Sequence, residues 1–332
     1  MIRVALVGLG EIARHAHLPA LSRNDDVRLV AVAVRSAAQR AEVATDLAPD
    51  VAVLADLDEV LARNDVDAVV LATPPWVTPE LTIRAVQSGR CVLAEKPVAT
   101  SVAASAVYEV LTDVQRARVQ VGLTYRHDPA MGALRRVIEH DELGGPLLVR
   151  AHIYDERRTG DERHSSLIER TLEHGSPVVH EGAHVFDWLA HLLGGDPLLD
   201  DAWAVQTRGG LAAPNIVGAR LRYPGGSEVL VEFGWLTDAL PRCELSFLGD
   251  RGHALLDGAT FGLTISTRDG QRDVIFPGER VARCFDLQLR RFAELAAGTR
   301  AHAEPSLDDG LRALALSEQV ARRAAQTMRG VA

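Results

Sequence analysis

The stretch Val4-Ala5-Leu6-Val7-Gly8-Leu9-Gly10-Glu11-Ile12-Ala13 decides the fold. Its apolar start, with Ile2 before it, reads as a buried strand, and G-x-G-x-x-A follows at once. Gly8 permits a tight turn, Gly10 lets a pyrophosphate approach the backbone, and Ala13 is small enough for the next helix to pack on the strand. Glu11 and Ile12 open that helix, whose first N–H groups have no partner of their own and suit phosphate oxygens. Gly8, Gly10, Glu11 and Ile12 are therefore the expected dinucleotide-binding residues. The pattern is weak alone. Here it follows a strand, opens a helix and precedes a second strand, which is the context it requires.

Working outward, short apolar runs recur at 27–34, 51–55, 68–72, 92–94 and 119–122, with helical spacing between them at 83–88 and 102–117. Strands apolar throughout, alternating with helices, predict βαβ units and a parallel sheet buried on both faces. Beyond Tyr125 the pattern changes. A helix over 130–140, a strand over 147–154 and an apolar helix over 180–193, stopped by Gly194-Gly195, lead into β-rich stretches from Trp203 to Phe276. Turn signals punctuate those stretches, so an antiparallel or mixed sheet is expected, followed by helices over 285–297 and 307–328.

The chain has 332 residues, 47% hydrophobic and 24% charged, enough for two domains with sizeable cores. A net charge of −9 without a basic run argues against a nucleic-acid partner. No apolar run approaches the ~18 residues of a membrane span. Cys91, Cys243 and Cys284 are odd in number and far apart, which suits a reducing compartment. The start of the chain shows no basic segment or cleavage site of a secretory signal, so a cytoplasmic location is expected.

The second strand of a site preferring NAD usually ends in Asp or Glu, for the ribose 2′-hydroxyl. Here Val34 holds that place and Arg35-Ser36 follow. Arg35 can stack on adenine and pair with a 2′-phosphate, helped by the Ser36 hydroxyl, so NADP is expected, with NAD the alternative. The fifth strand ends in Glu95-Lys96-Pro97, beside the crevice where parallel sheets bind ligands. A lysine there can hydrogen-bond a substrate oxygen and relay a proton.

Six segments occur in order: VGLGEIARHAHLPAL (7–21), VVLATPP (69–75), SGRCVLAEKPVATS (88–101), VGLTYRHDPAMGALRRVI (121–138), GAHVFDWLAHLLGG (182–195) and PSLDDGLRALAL (305–316). Together they resemble the glucose–fructose oxidoreductase, inositol dehydrogenase and rhizopine-catabolism (Gfo/Idh/MocA) family over nearly the whole chain. The resemblance implies an α/β fold: an N-terminal Rossmann doubly wound parallel sheet over 1–122, then a C-terminal α+β domain over 123–332. The second domain would carry a large open, mainly antiparallel sheet used for contacts in a homodimer or homotetramer, and the C-terminal helix could pack back on the first domain. It implies an NAD(P)-dependent oxidoreductase acting on sugars, cyclitols or related polyols. Lys96 would be catalytic, Thr73, Pro74 and Pro75 would border the nicotinamide, and Glu95 would position Lys96 and the cofactor. Tyr125 and Arg126 would lie near the substrate.

His180-Glu181-Gly182-Ala183-His184 spells H-E-x-x-H, the zinc signature of many peptidases. The resembling family usually has D-x-G-x-H here, so His184 matches its histidine, Gly182 its glycine, and His180 replaces its aspartate. The change removes a negative charge from the pocket, which would lower the pKa of a neighbouring lysine or histidine. A metzincin needs Gly and His further on, where this chain has Asp187 and Ala190. No metal is expected. His184 is read as a catalytic partner of Lys96 and His180 as a substrate contact. In the polar stretch from Tyr154 to Pro177, Tyr154, Arg157, Arg158, Arg163 and His164 can contact a polyhydroxy or anionic substrate or form surface ion pairs. Trp76 can wall a sugar face or serve the core. Two other readings stand beside the oxidoreductase: a non-catalytic dinucleotide-binding regulator on the same fold, and a zinc metalloprotein.

Overall fold

The computed structural model describes residues 1–157, 162–238 and 243–330. The chain divides into two compact units, Met1–His127 with Val281–Leu311, and Asp128–Arg280 with Arg312–Ala332.

The first unit holds a parallel sheet of β1 (Ile2–Val7), β2 (Val27–Ala33), β3 (Ala52–Leu54), β4 (Ala68–Leu71), β5 (Cys91–Ala94) and β6 (Val119–Val121). Their order is β3-β2-β1-β4-β5-β6, so the winding reverses between β1 and β4. The crevice outside the carboxyl ends of those strands is where such sheets take ligands. Val4, Leu6, Val70 and Leu93 share one core with Phe285, Leu289 and Phe292 of the helix Arg280–Ala296. Burying each such side chain contributes about 1.5–3 kcal/mol, which is why this late helix belongs with the first sheet. The expected division at 122/123 thus differs in two ways: the break falls after His127, and 281–311 groups with the Rossmann unit.

The helix expected over 102–117 is broken. Leu111 is extended, and the side chain of Thr112 accepts from the Gln115 N–H while the Gln115 side chain accepts from the Thr112 N–H. That capping box starts a fresh helical turn instead of continuing the old one.

The second unit holds β7 (Leu148–Arg157), β8 (Leu198–Gln206), β9 (Ile216–Arg222), β10 (Glu228–Thr237), β11 (Glu244–Leu248), β12 (Gly252–Asp257), β13 (Leu263–Thr267), β14 (Gly270–Val274) and the two-residue β15 (Arg329–Gly330). Among the described residues they form one sheet in the order β14-β13-β12-β11-β7-β10-β9-β8-β15. Only β7 with β10 and β8 with β15 run parallel. Val229, Val231 and Phe233 of β10 are buried while Glu228, Leu230 and Glu232 are half-buried, so one face is core and the other polar. The helix Pro177–Leu193 lies on the core face, with the Phe186 and Phe233 rings edge to face at 5.7 Å. The helix Leu307–Gln326 crosses it closely: a Cβ on Gly182 would stand 2.5 Å from Ser317 Oγ. The polar stretch after β7 is more regular than expected. Glu162–Thr171 is helical because Ile168 and Leu172, one turn apart, bury themselves with Trp235 and Leu236. Among the described residues no helix is long and apolar enough to cross a membrane.

Candidate active site

In the first unit the end of β1 meets the end of β4. Gly8 has φ +92°, and a Cβ there would stand 2.3 Å from the Ala72 carbonyl oxygen, so only glycine fits. A Cβ on Gly10 would meet nothing within 4 Å, so open space adjoins its backbone. Ala13 is fully buried, while Glu11 and Ile12 are exposed at the opening of the helix. Tight turn, open approach and free helix start fit a pyrophosphate. The helix begins with a π-turn at Ala13–His17, in which the Leu18 N–H donates to the Ala13 carbonyl five residues back.

At the end of β2, Arg35 and Ser36 are exposed. Ser36 caps the helix Ala37–Asp46, its Oγ accepting from the Gln39 N–H at 3.4 Å, which leaves its own hydrogen for a ligand. The Arg40 guanidinium donates to the Val34 and Arg35 carbonyls at 2.7 and 2.8 Å and fixes this loop. At the end of β4, the Thr73 and Thr78 hydroxyls lie 2.8 Å apart, and the Pro74 carbonyl accepts from the Thr78 hydroxyl at 3.0 Å. Thr73-Pro74-Pro75 is thereby tied to the helix Thr78–Gln87. Trp76 is 71% exposed, so it serves no core among the described residues.

Glu95 and Lys96 follow β5. Glu95 is buried, its Oε1 accepting from His17 Nε2 at 2.7 Å and its Oε2 from the Lys96 backbone N–H at 3.1 Å. Gly122 leaves room for this carboxylate, since a Cβ there would stand 2.9 Å from it. His17 was not among the expected site residues. Its one sequence signal is a histidine on the inward side of the first helix. Lys96 carries a second signal: it is the single lysine of the chain, and the other 35 of the 36 Lys and Arg residues are arginine. Arg and Lys serve equally as solubilising charges, but only an amine titrates readily.

Tyr125 is half-buried in the turn Thr124–His127. Arg126 forms a largely buried ion pair with Asp309 at 3.1 Å, and Asp309 also accepts from the Ser306 N–H. This pair ties the turn, and with it Arg126, to the 281–311 segment.

In the second unit the helix Pro177–Leu193 carries His180 and His184 one turn apart. His180 stacks on Trp235 with centroids 5.3 Å apart, and the buried His184 stacks on Trp188 at 6.2 Å. Arg135 donates to His191 Nδ1 at 3.4 Å. Among the described residues no three His, Cys, Asp or Glu side chains come together as a metal site. Tyr154 stands elsewhere. It pairs with Gly234 in the sheet and covers it, on the face opposite Phe233 and the histidine helix. Its hydroxyl donates to Glu232 at 3.3 Å. Tyr154 was expected as a substrate contact; alternation along β7 places it on the sheet face away from the histidine helix. Arg158 lies outside the described residues, as do the side chains of Arg157, Arg163 and His164.

A phosphate-fitted turn at the switch point of a six-stranded parallel sheet defines a dinucleotide-binding protein. Two profiles agree: that of an oxidoreductase family with an NAD-binding Rossmann fold matches residues 2–124, and that of the GFO/IDH/MocA C-terminal domain matches residues 131–255. The chain belongs to the Gfo/Idh/MocA family and is an NAD(P)-dependent oxidoreductase. It is 25% identical to an inositol 2-dehydrogenase of Rhizobium meliloti strain 1021, over 98% of this chain and 97% of that one. Its fold is shared by an oxidoreductase from Agrobacterium radiobacter in complex with NAD+, L-tartaric acid and magnesium (TM-score 0.82, 16% identity, 98% and 96% of the two chains). It is shared too by a 3-ketoreductase from Actinomadura kijaniata in complex with NADP and TDP-benzene (TM-score 0.77, 20% identity, 99% and 98%).

Proposed function

We propose that the protein interconverts an alcohol and a carbonyl on a sugar, cyclitol or related polyol, with NADP preferred over NAD. The observation that carries this reading is the single lysine, Lys96, kept at the carboxyl end of β5 in a chain whose other cations are all arginine. When bound, the nicotinamide cofactor supplies or accepts the hydride. Gly8, Gly10, Glu11 and Ile12 hold its pyrophosphate, Arg35 and Ser36 its 2′-phosphate, and Thr73, Pro74 and Pro75 border the nicotinamide. Lys96 donates a hydrogen bond to the reacting oxygen and moves its proton, with His184 as the second acid–base group. His180 and Tyr125 contact the substrate hydroxyls, and Arg126 braces Tyr125 through Asp309. The enzyme acts in the cytoplasm as a homodimer or homotetramer. The inositol dehydrogenase relative supports this substrate class.

Initial rates with NADP+ and a panel of cyclitols and hexoses headed by myo-inositol test the reading. Wild type turns over a member of the panel. Lys96→Ala lowers kcat by about 10²- to 10⁴-fold, the range of a general acid–base group, and His184→Ala lowers it less. An undiminished kcat in Lys96→Ala contradicts the proposal.

A further inference from the structure

We propose that His17 is a positioning residue for Lys96, acting through the buried carboxylate of Glu95. The inference rests on the catalytic reading of Lys96. His17 is 2% exposed, at the end of the π-turn Ala13–His17, and its Nε2 is 2.7 Å from Glu95 Oε1. A π-turn holds one residue more than an α-turn, so its last side chain is rotated from the direction an unbroken α-helix would give it. That rotation brings a helix of the phosphate-binding turn into contact with the end of β5, 78 residues away in sequence. The Phe285 ring meets the imidazole edge to face at 5.0 Å and fixes its plane.

Glu95 passes the constraint on. With one oxygen held by His17 and the other accepting the Lys96 N–H at 3.1 Å, its carboxylate cannot rotate without breaking both bonds. A carboxylate buried this deeply costs several kcal/mol unless donors surround it. His17 supplies the longest-range of those donors. The backbone from which the single lysine projects is therefore clamped to the same helix that receives the pyrophosphate. This couples the cofactor turn to the amine within one unit, without His17 touching either reactant. The same clamp explains Gly122, where any side chain would strike the Glu95 carboxylate.

The single lysine makes the test direct, because protein grown with ¹⁵N-lysine shows one lysine backbone amide, that of Lys96. Its proton shift is read in the full-length, NADPH-saturated protein for wild type, His17→Leu, His17→Asn, whose donor is too short to reach Glu95, and His17→Gln, whose amide nitrogen replaces Nε2. The expected result is an upfield move in His17→Leu and His17→Asn as the bond to Glu95 loosens, with return towards the wild-type position in His17→Gln. On the panel polyol turned over fastest, kcat is expected to fall by roughly 10- to 100-fold in the first two variants, the usual effect of removing a group that orients a reacting one, with KM and the NADPH Kd unchanged. An unmoved Lys96 amide in both the Leu and Asn variants overturns the proposal. Lys96→Ala is assayed beside them. Full activity there sinks the catalytic reading alone, while the amide shift still reports on His17.

Discussion

Burial, reinforced by the negative charge of Glu232, pushes the Tyr154 hydroxyl up to about 12, and burial, partly offset by a hydrogen bond with Thr82, takes Tyr108 to about 12; burial raises the Tyr223 hydroxyl as well. Both values exceed the ~10 of an unfolded tyrosine. Above pH 10 the unfolded chain releases these protons while the folded chain keeps them, so stability falls as pH climbs from 10 to 12. Tyr154→Phe removes one of these three contributions. The variant is expected to lose less unfolding free energy than wild type between pH 9 and 11.5 in urea titrations; equal losses would show that Tyr154 is ionised alike in both states. Single residues were legible where chemistry is local. Gly8 and Gly10, whose tight turn and open approach are local, could be chosen from their neighbours in sequence. His17 could not, because its partner is Glu95, and a hydrogen bond between distant segments leaves no periodic trace. The direction of Tyr154 could not either, since one residue of slip in a strand exchanges its faces.

At the scale of elements, the buried strands of the first unit were readable because they are apolar throughout. The histidine helix was readable because Gly194-Gly195 stops it. The break at Leu111 was hidden by a continuing helical spacing that the Thr112–Gln115 cap overrides. The packing of one helix on another makes Gly182 the sharpest test. Alanine there gains about 1 kcal/mol of helix propensity. Its Cβ would stand 2.5 Å from Ser317 Oγ and 3.0 Å from the Phe186 ring, in a contact where the Ser317 hydroxyl already donates to the Ala313 carbonyl. Overpacking costs about 1–3 kcal/mol, so crowding outweighs propensity. Gly182→Ala is expected to be net destabilised by roughly 1 kcal/mol and to melt lower; a higher Tm would mean that the two helices are not so closely set.

At the scale of the whole molecule, two units and an α/β architecture followed from the change of pattern after Tyr125. What did not follow was the return of 281–311 to the first unit. An amphipathic helix declares that it needs an apolar surface and is silent about which sheet provides it; only Phe285, Leu289 and Phe292 in the Rossmann core settle that. With the return, Asp309 arrives at Arg126, and one unit carries the proposed cofactor residues, the lysine and the brace behind Tyr125. The central claim is that this unit takes NADP in preference to NAD through Arg35 and Ser36. Titration of wild type and Arg35→Glu, freed of copurified nucleotide, with NADPH and with NADH, followed by nicotinamide fluorescence, tests it most directly. The account predicts tighter NADPH binding in wild type and a reversed or abolished preference in Arg35→Glu. Tighter NADH binding in wild type, or a preference that Arg35→Glu leaves unchanged, would contradict it.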